Sequence, residues 1–378
     1  MSQAVRCTIL RGGTSKGVYL LENDLPQDPA ERDRVILRIF GSPDKRQING
    51  LGGADPLTSK VAVVGPSQRA DADIEYTFGQ VAIDHAKVYY KSLCGNITSG
   101  VGPFAINMGL VKAAEPVTAV RMYNRNTGKI LTAEVPVKGG RFWEEGDYAI
   151  AGVPGTGSRI NVDFSAAAGA LTGKFLPTGR VKDSALVKGL GTLEISIVDM
   201  STCQIFVRAS DMGLQGTEMP ADVDKDPALL ARLEAIRAQG AYLAGLISDP
   251  EAAAESRNTP HLVLVSPARD YVTYLEQKRI AAADIDFTVR MMFMQIMHKT
   301  YAGTGSICTA IAALTPGTIA NEFNFNFNQG KSQMVRLGHP GGVIEVEAAL
   351  TEENGEYRPV RAAIGRTARQ IMTGQVFI

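Results

Sequence analysis

Residues 93–100, LCGNITSG, lead into a short helix of small and apolar residues that we predict at Ile97–Leu110. A second stretch, GTGS at residues 303–306, is predicted as a loop leading into a similar helix at Ile307–Leu314. A helix that is apolar on all sides is buried, so we expect each of the two at the centre of a domain. Because one lies in each half of the chain, we predict two similar halves.

Short strands bounded by Gly, Pro, Asp or Asn surround these helices, and their hairpin-like spacing favours antiparallel pairing over a doubly wound parallel sheet. The predicted strands are Val5–Leu10, Val61–Val64, Ala72–Phe78, Gln80–Ile83, Ile130–Val137, Leu193–Val198, Gln204–Arg208, His261–Val265 and Gly342–Ala349. Three further helices are predicted at Pro29–Phe40, Ala228–Ile247 and Asp284–Lys299. We expect a first domain at residues 1–183 and a second at 184–378, with the last strand free to cross back.

Composition limits the class of function. The 378 residues contain 39 Lys plus Arg and 39 Asp plus Glu, so nothing builds the broad positive field that nucleic acid or an anionic membrane attracts. The four cysteines and four histidines are scattered, which favours neither a zinc site nor a disulfide framework. No apolar stretch resembles a signal peptide or reaches the ~20 residues of a membrane span. We therefore expect a cytoplasmic protein without metal or cofactor.

The turn RGGTSKG at residues 11–17 is the first candidate site. It places backbone N–H groups, hydroxyls and cations together, and such a turn can bind an anion. Arg11, Thr14, Ser15 and Lys16 are its candidate binding residues. The order of residues is not that of a Walker A loop, and a plain turn between strands with a solvated lysine is the alternative.

Lys60 ends the stretch GGADPLTSK and enters the apolar strand Val61–Val64. Partial loss of water favours the neutral amine, which can act as a base. The alternative is a lysine whose stem lies along the sheet while its charged end reaches water. From the residue types alone, that alternative is favoured.

Cys94 lies where a helix begins. The positive end of the helix dipole favours a thiolate there, and the free N–H groups of Gly95 and Asn96 can hold a carboxylate. A small buried cysteine that fills space is the alternative. Cys308 follows Gly305 by three residues, so we place it inside its helix and assign it to packing, while Gly303–Ser306 is the candidate carboxylate site of the second half.

One more glycine-bounded turn, RLGHPGG at residues 336–342, contains His339. This histidine could orient or bind a substrate, and a structural role in the turn is equally compatible with the sequence. The motifs G-x-S-x-G, H-E-x-x-H and a strand followed by G-x-G-x-x-G do not occur. No motif in the sequence indicates that the protein binds a nucleotide, a flavin or a metal.

Several motifs in fixed order resemble the PrpF family of isomerases. They are RGGTSKG, GSPD at 41–44, GGADPLTSK, FGQV at 78–81, CGNITSGVGPFAI at 94–106, LPTG at 176–179, GLQGTE at 213–218, GTG at 303–305 and RLGHPGG. The resemblance implies the fold of diaminopimelate epimerase: two similar α+β domains, each with a mostly antiparallel sheet wrapped around a central helix. It also implies an active site where the two central helices begin.

The resemblance assigns proton transfer to two residues, because the lysine of its T-S-K motif falls on Lys60 and the cysteine of its C-G-N motif on Cys94. It implies a cofactor-independent isomerase that moves a double bond in methylitaconate, 2-methylaconitate, aconitate, 4-oxalomesaconate or a similar small polycarboxylate. It also suggests a homodimer. The residues expected to bind substrate are Arg11, Thr14, Ser15, Lys16, Ser59, Gly95, Asn96, Gly303, Thr304, Gly305, Ser306 and His339.

Three other functions stay open at this point. A keto–enol tautomerase would use the same site on an oxo-acid. An amino-acid racemase with two thiols would need Cys94 and Cys308 and could dispense with Lys60, although the position of Cys308 after its glycines speaks against it. A non-catalytic accessory protein would bind a polycarboxylate without needing Lys60.

Overall fold

The computed structural model describes residues 4–90, 93–323 and 325–378. These residues group into two compact units, one of residues 1–163 with 365–378 and one of residues 164–364. The segment that closes the chain therefore belongs to the first unit. In the described ranges, no helix combines the length and the apolar character needed to cross a lipid bilayer.

Strands dominate both units. The helices in the described residues are α1 (Pro29–Phe40), α2 (Gly95–Asn107), α3 (Pro220–Val223), α4 (Pro227–Leu243) and α5 (Gly303–Leu314). The strands are β1 (Ala4–Gly12), β2 (Ser15–Leu21), β3 (Lys60–Pro66), β4 (Ile74–Val81), β5 (Val88–Tyr89), β6 (Val117–Asn124), β7 (Lys129–Lys138), β8 (Arg141–Phe142), β9 (Ile160–Asp163), β10 (Asp183–Val187), β11 (Gly191–Met200), β12 (Thr202–Arg208), β13 (His261–Pro267), β14 (Tyr271–Val272), β15 (Arg279–Ile280), β16 (Phe287–Phe293), β17 (Ile296–Met297), β18 (Gln333–His339), β19 (Gly342–Glu353), β20 (Glu356–Arg366) and β21 (Ala368–Phe377).

The main sheet of the first unit runs in the order β21, β1, β2, β3, β4, β6, β7, β9. Neighbouring strands are antiparallel except for the pairs β2–β3 and β4–β6, which are parallel. The sheet of the second unit runs β10, β11, β12, β13, β16, β18, β19, β20, and its parallel pairs are β12–β13 and β16–β18. The sequence of antiparallel and parallel pairs is the same in both units. This confirms the expectation of two similar, mostly antiparallel halves.

Each sheet encloses one apolar helix. Every residue from Ile97 to Ile106 in α2 is buried, and α2 contacts the strands β1–β4, β6–β9 and β21. In α5 every residue from Gly305 to Leu314 is buried, against β11, β12, β18 and β19. Small residues allow this burial because they let strand backbones approach the helix closely, so the expected central helices are confirmed.

The outer faces are covered by α1 and α4. Ile36, Ile39 and Phe40 of α1 join a core with Val61 and Val63 of β3. Leu229, Leu233 and Ile236 of α4 do the same in the second unit. α1 starts at the predicted residue and α4 one residue before it. In each helix an aspartate side chain accepts a backbone N–H: Asp28 from Glu31, and Asp226 from Leu229.

The helix predicted at Asp284–Lys299 is wrong, because this segment forms β16, a tight turn and β17. Residues 287–292 are all buried because β16 lies between β13 and β18. A strand covered on both faces loses the alternation that marks a half-exposed strand, so its apolar run resembles a buried helix. Met294 and Gln295 adopt positive φ in the turn.

Several boundaries also differ from the predictions, among them both ends of α2 and of α4. The strands predicted at Ala72–Phe78 and Gln80–Ile83 form the single strand β4. The stretch Gly303–Ser306, predicted as a loop, is the first turn of α5, whose preceding residue is Ala302. Glycine and serine are weak helix formers in isolation, and burial of the whole helix outweighs that preference.

The packing of α2 gives a stability prediction. Phe104 is buried and its ring lies 5.7 Å from that of Tyr19. We expect Phe104→Ala to lower the free energy of unfolding by about 3–5 kcal/mol, because it leaves a cavity inside the first unit. Val117→Ala, at a position that is 49% exposed, should change it by less than about 0.5 kcal/mol. Urea denaturation of the two variants measures both values, and equal losses would contradict the central role of α2.

Candidate active site

The first turn of α2 packs directly onto the turn between β1 and β2. A Cβ atom added to Gly12 would overlap the Asn96 carbonyl oxygen, and one added to Gly13 would overlap the Asn96 side-chain oxygen. Gly13 also has a φ of +51°, which favours glycine. Glycine at both positions is thus what allows the helix to begin against the backbone of the turn.

Hydrogen bonds tie the polar residues of the predicted anion site together. Asn96 Nδ2 donates to Thr14 Oγ1 at 2.9 Å and to Ser15 Oγ at 3.4 Å. Arg11 donates from one terminal nitrogen to the Gly13 carbonyl at 2.9 Å and to the carbonyl and hydroxyl of Thr367, each at 3.0 Å. Arg11 therefore holds the turn against the C-terminal segment. Lys16 is half-buried at the start of β2.

Both central helices begin without a capping side chain. Among residues 4–90, 93–323 and 325–378, no side chain accepts a backbone N–H in the first turn of α2 or of α5, in contrast to the aspartate caps of α1 and α4. The unpaired N–H groups and the positive end of the dipole make such a terminus suited to an anion. We call this feature an open N-terminus.

Cys94 immediately precedes α2, as predicted, and is half-buried, whereas Cys7, Cys203 and Cys308 are buried. Two phenols line the same end of the helix. Tyr19 donates its hydroxyl to the Ile97 carbonyl at 2.7 Å, and the Tyr76 hydroxyl lies 2.8 Å from Thr98 Oγ1. Burial raises the pKa of both phenols well above the ordinary value, so they are neutral neighbours of the thiol.

Lys60 is the first residue of β3 and is only 8% exposed. Its Nζ donates to Gln80 Oε1 at 2.5 Å and lies 5.4 Å from the centre of the Phe78 ring. Gln80 Nε2 donates to the Pro56 and Ser59 carbonyls at 3.1 and 3.0 Å. The amide of Gln80 is thereby fixed with its oxygen toward Lys60, so the amine is held inside the protein and does not extend along the sheet into water.

The backbone of Lys60 meets the first turn of α2 across Gly17. A Cβ on Gly17 would lie 2.8 Å from Ile97 Cδ1 and 3.0 Å from the Lys60 carbonyl oxygen. Lys60 and the start of α2 are therefore close neighbours within the first unit. The Ser59 hydroxyl is directed elsewhere, donating to Gln47 Oε1 at 2.8 Å, and Ser59 faces Gln80 only through its carbonyl.

In the second unit, the residues predicted to bind a carboxylate surround the open N-terminus of α5. Gly305 packs against the Gln204 amide and the Met291 sulfur, and Ser201 Oγ donates to the Thr304 carbonyl at 3.0 Å. His339 is buried, accepts the Gly341 N–H on Nδ1 at 3.0 Å, and its ring lies 6.2 Å from that of Tyr301. The ring contact places His339 near Tyr301, two residues before α5.

The matching topologies allow position-by-position comparison of the two units. Lys60 begins β3, and His261 begins the equivalent strand β13. Cys94 precedes α2, and Ala302 precedes α5. The second unit therefore has the scaffold of the first but neither its lysine nor its thiol at these two positions.

Cys308 lies inside α5, as predicted from its distance from Gly305. Its Sγ donates to the Val198 carbonyl at 3.3 Å. Burial raises the pKa of this thiol well above its ordinary value. Its environment is that of a packing residue, in contrast to that of Cys94. In the part of the chain that the structure describes, no three His, Cys, Asp or Glu side chains converge closely enough to hold a metal ion.

Two residues of this region were not among the candidates from the sequence. Gln80 lies in the FGQV stretch that contributed to the family resemblance, so a local signal for it existed. Arg366 lies beside Gly13, with its Cδ 3.3 Å from the position of a Cβ there. No local motif marks Arg366, since only the return of the C-terminal segment to the first unit places it near α2.

Comparison with solved structures identifies the fold. The fold is that of the racemases and epimerases: a hydroxyproline epimerase from Agrobacterium vitis aligns with a TM-score of 0.53 and 12% identity, covering 99% of this chain and 93% of that one. The sequence profile described as PrpF protein matches residues 2–378. The chain belongs to the PrpF family, which confirms the resemblance found in its motifs.

Several named relatives are similar to this chain over nearly its full length. A 3-methylitaconate isomerase from Eubacterium barkeri is 49% identical, covering 100% of this chain and 98% of that protein. A 2-methyl-aconitate isomerase from Shewanella oneidensis is 38% identical, covering 98% and 96%. The crystal structure of a methylitaconate-delta-isomerase aligns with a TM-score of 0.93 and 48% identity, covering 100% and 96%.

The burial of His261 gives a prediction about the pH dependence of stability. His261 is 6% exposed, and burial, reinforced by His298, lowers its pKa to about 4. As the pH falls, the unfolded chain binds a proton at this histidine before the folded protein does. His261 therefore lowers the free energy of unfolding below its ordinary pKa of 6.5 and has no effect on it above that pH. We expect the free energy of unfolding to fall by about 2 kcal/mol between pH 7.5 and pH 5 from this residue.

The variant His261→Gln should remove that part of the pH dependence. The exposed His85 provides the matched control, because His85→Gln should leave the pH dependence close to that of the wild type. Urea midpoints of the wild type and of both variants, measured at the two pH values, give the pH dependence of stability. An unchanged slope in His261→Gln would contradict the inference that the buried imidazole is neutral.

Proposed function

We propose that this protein is an isomerase that moves a carbon–carbon double bond in a small unsaturated di- or tricarboxylate by proton transfer. The observation that carries the proposal is the pair formed by the buried amine of Lys60 and the half-buried thiol of Cys94, both beside the open N-terminus of α2. The names of the full-length relatives indicate methylitaconate as the first substrate to test and 2-methylaconitate as the second.

The reaction needs a base, an acid and a place for negative charge. A proton leaves a carbon that lies next to a carboxylate and to the alkene, and the electron pair of that C–H bond enters the conjugated system. The charge spreads onto a carboxylate oxygen, where preorganised N–H donors stabilise it most. The proton returns two carbons away and the double bond shifts. One proton leaves and one returns, so no electrons are gained or lost.

We assign the base to Lys60 and the acid to Cys94. A neutral amine keeps two N–H bonds and one lone pair, and its hydrogen bond to Gln80 Oε1 fixes the direction of that lone pair. Cys94 lies at the positive end of α2, where a thiolate is stabilised after the proton has been given up. Such positioned acids and bases each contribute about 10²- to 10⁴-fold to a rate.

The carboxylate-binding groups remain part of the proposal. In the first unit they are the N–H groups of Gly95 and Asn96, with the Thr14 and Ser15 hydroxyls that Asn96 holds. In the second unit they are Gly303–Ser306 and His339. We give Arg11, Lys16 and Ser59 supporting roles. The side chains of Arg11 and Ser59 form hydrogen bonds to neighbouring loops. A homodimer and a cytoplasmic location stay predictions from the sequence.

Deuterium exchange tests the proposed reaction. Methylitaconate is incubated with the protein in D₂O, and proton NMR follows both the shift of the double bond and the incorporation of deuterium. We expect Lys60→Ala and Cys94→Ala each to lower kcat by about 10²- to 10⁴-fold. Cys308→Ala is the matched control, because a buried packing thiol should leave kcat within about threefold.

Each outcome separates the proposal from its competitors. If Lys60→Ala exchanges as fast as the wild type while Cys308→Ala is inactive, a two-thiol mechanism replaces ours. If wild-type protein neither exchanges nor isomerises methylitaconate, 2-methylaconitate or oxalomesaconate, the proposed activity is wrong.

Gln80 gives a separate prediction about the orientation of Lys60. Gln80→Leu removes the acceptor that holds Nζ, and we expect kcat to fall by about 10- to 100-fold because the amine is displaced. Gln80→Glu keeps an acceptor but adds a negative charge that favours the ammonium form, so the rise of kcat with pH should move to higher pH. A pH–rate profile of Gln80→Glu identical to that of the wild type would show that Gln80 does not act on Lys60.

A further inference from the structure

Arg366 is an almost fully buried cation with very few partners. Its side chain is 9% exposed, and its single hydrogen bond within the described ranges runs from one terminal nitrogen to the Gly365 carbonyl at 3.0 Å. No Asp or Glu of the described residues forms an ion pair with it. A guanidinium has five N–H donors, and a buried charge without an opposite charge is costly.

Two other buried arginines in the described residues make more hydrogen bonds than Arg366 does. Arg237 pairs with Glu234 and also donates to three backbone carbonyls. Arg290 donates to the carbonyls of Glu218, Val289 and Gly338 and lies over the Tyr271 ring. Each of these two side chains makes at least three hydrogen bonds within the protein, although one terminal nitrogen of Arg290 has no partner. Arg366 is buried to a similar degree and makes one, which leaves its other donors for a ligand.

Arg366 lies beside the turn that meets the first turn of α2. Its Cδ lies 3.3 Å from the point that a Cβ on Gly13 would occupy, and the side-chain oxygen of Asn96 adjoins the same point. Thr367, the next residue, accepts the Gly13 N–H at 2.9 Å and a hydrogen bond from Arg11. The backbone that carries Arg366 is therefore fixed against the turn on which α2 begins.

The charge of Arg366 interacts with groups near the start of α2. Burial lowers the pKa of Arg366 to about 10, and the groups whose negative charge acts in the opposite direction are Tyr148 and Cys94. The tyrosine hydroxyl packs over Gly365. Arg366 is thus a cation within electrostatic reach of Cys94, beside the open N-terminus of α2.

We propose that Arg366 binds one carboxylate of the substrate next to Cys94 as an ion pair. This inference rests on the function proposed above. It also addresses a difficulty of that mechanism, since a polyanion near Lys60 favours the ammonium form and so opposes its action as a base. A guanidinium that neutralises one carboxylate, together with the N–H groups of α2, reduces that effect and stabilises the charge that develops on the carboxylate oxygen.

Binding measurements without turnover test the proposal. Titration calorimetry is carried out on Lys60→Ala and on Lys60→Ala/Arg366→Gln with itaconate and with each of its two monomethyl esters. We expect the Arg366→Gln change to weaken itaconate binding by about 10- to 100-fold. In Lys60→Ala, one of the two esters should bind more weakly than itaconate by a similar factor. Its affinity should fall little further when Arg366 is also replaced, because this ester already lacks the carboxylate that Arg366 holds.

Arg369→Gln in the same Lys60→Ala background is the matched control. It removes a positive charge from the same segment but at an exposed position, so itaconate affinity should change by less than about threefold. Arg366→Lys keeps the charge without the planar fork of donors, and we expect it to bind itaconate more tightly than Arg366→Gln and more weakly than arginine. The lysine variant also serves as the test if Arg366→Gln does not fold.

The outcomes distinguish this inference from the proposed function. If the Arg366 variants lose the same factor for itaconate and for both esters, or lose nothing, Arg366 does not hold a carboxylate and only this inference fails. If Lys60→Ala binds neither itaconate nor methylitaconate and wild-type protein does not isomerise methylitaconate, the proposed function and the inference fall together.

Discussion

The approach of α2 to the glycine turn between β1 and β2 is the contact on which the site depends. A helix that is buried along its whole length can be enclosed only if its surface residues are small and the strands around it come close. The exposed helices α1 and α4 satisfy their first N–H groups with Asp28 and Asp226. In α2 a glycine backbone and a cysteine occupy that place, so the donors stay available. The same packing that stabilises the first unit therefore leaves free the N–H groups that we propose as an anion site.

The two units show how one scaffold supports different chemistry. Their sheets have the same order of parallel and antiparallel pairs, and each encloses one helix with an open N-terminus. Yet Lys60 and Cys94 correspond to His261 and Ala302. The imidazole is buried and neutral, and alanine has no proton to give. The second unit retains the donors of its helix but has neither an amine nor a thiol at these two positions, in agreement with the proposal that Lys60 and Cys94 transfer the proton.

Charge balance links the proposed chemistry to the C-terminal segment. A lysine acts as a base only while it is neutral, and a substrate with two or three carboxylates works against that state. The N–H groups of α2 and the guanidinium of Arg366 offer positive charge from elements far apart in sequence. β21 pairs with β1 along its length, and residues 365–367 thereby lie beside Gly13. A pairing of strands from the two ends of the chain thus supplies a cation to the site.

Sequence patterns were sufficient to predict the local features: the glycine turns, the buried apolar helices, the cysteine at the start of α2 and the lysine entering β3. Each depends on residues a few positions apart, where propensity and periodicity act directly. Prediction failed for β16, because a strand covered on both faces shows no alternation, and for the start of α5, because burial outweighs the weak helix propensity of Gly303–Ser306. Three contacts became visible only in the folded chain: Gln80 holds the Lys60 amine, Ser59 donates to Gln47, and Arg366 lies beside Gly13. These contacts join distant segments through strand pairing, and long-range pairing leaves no trace in the spacing of neighbouring residues.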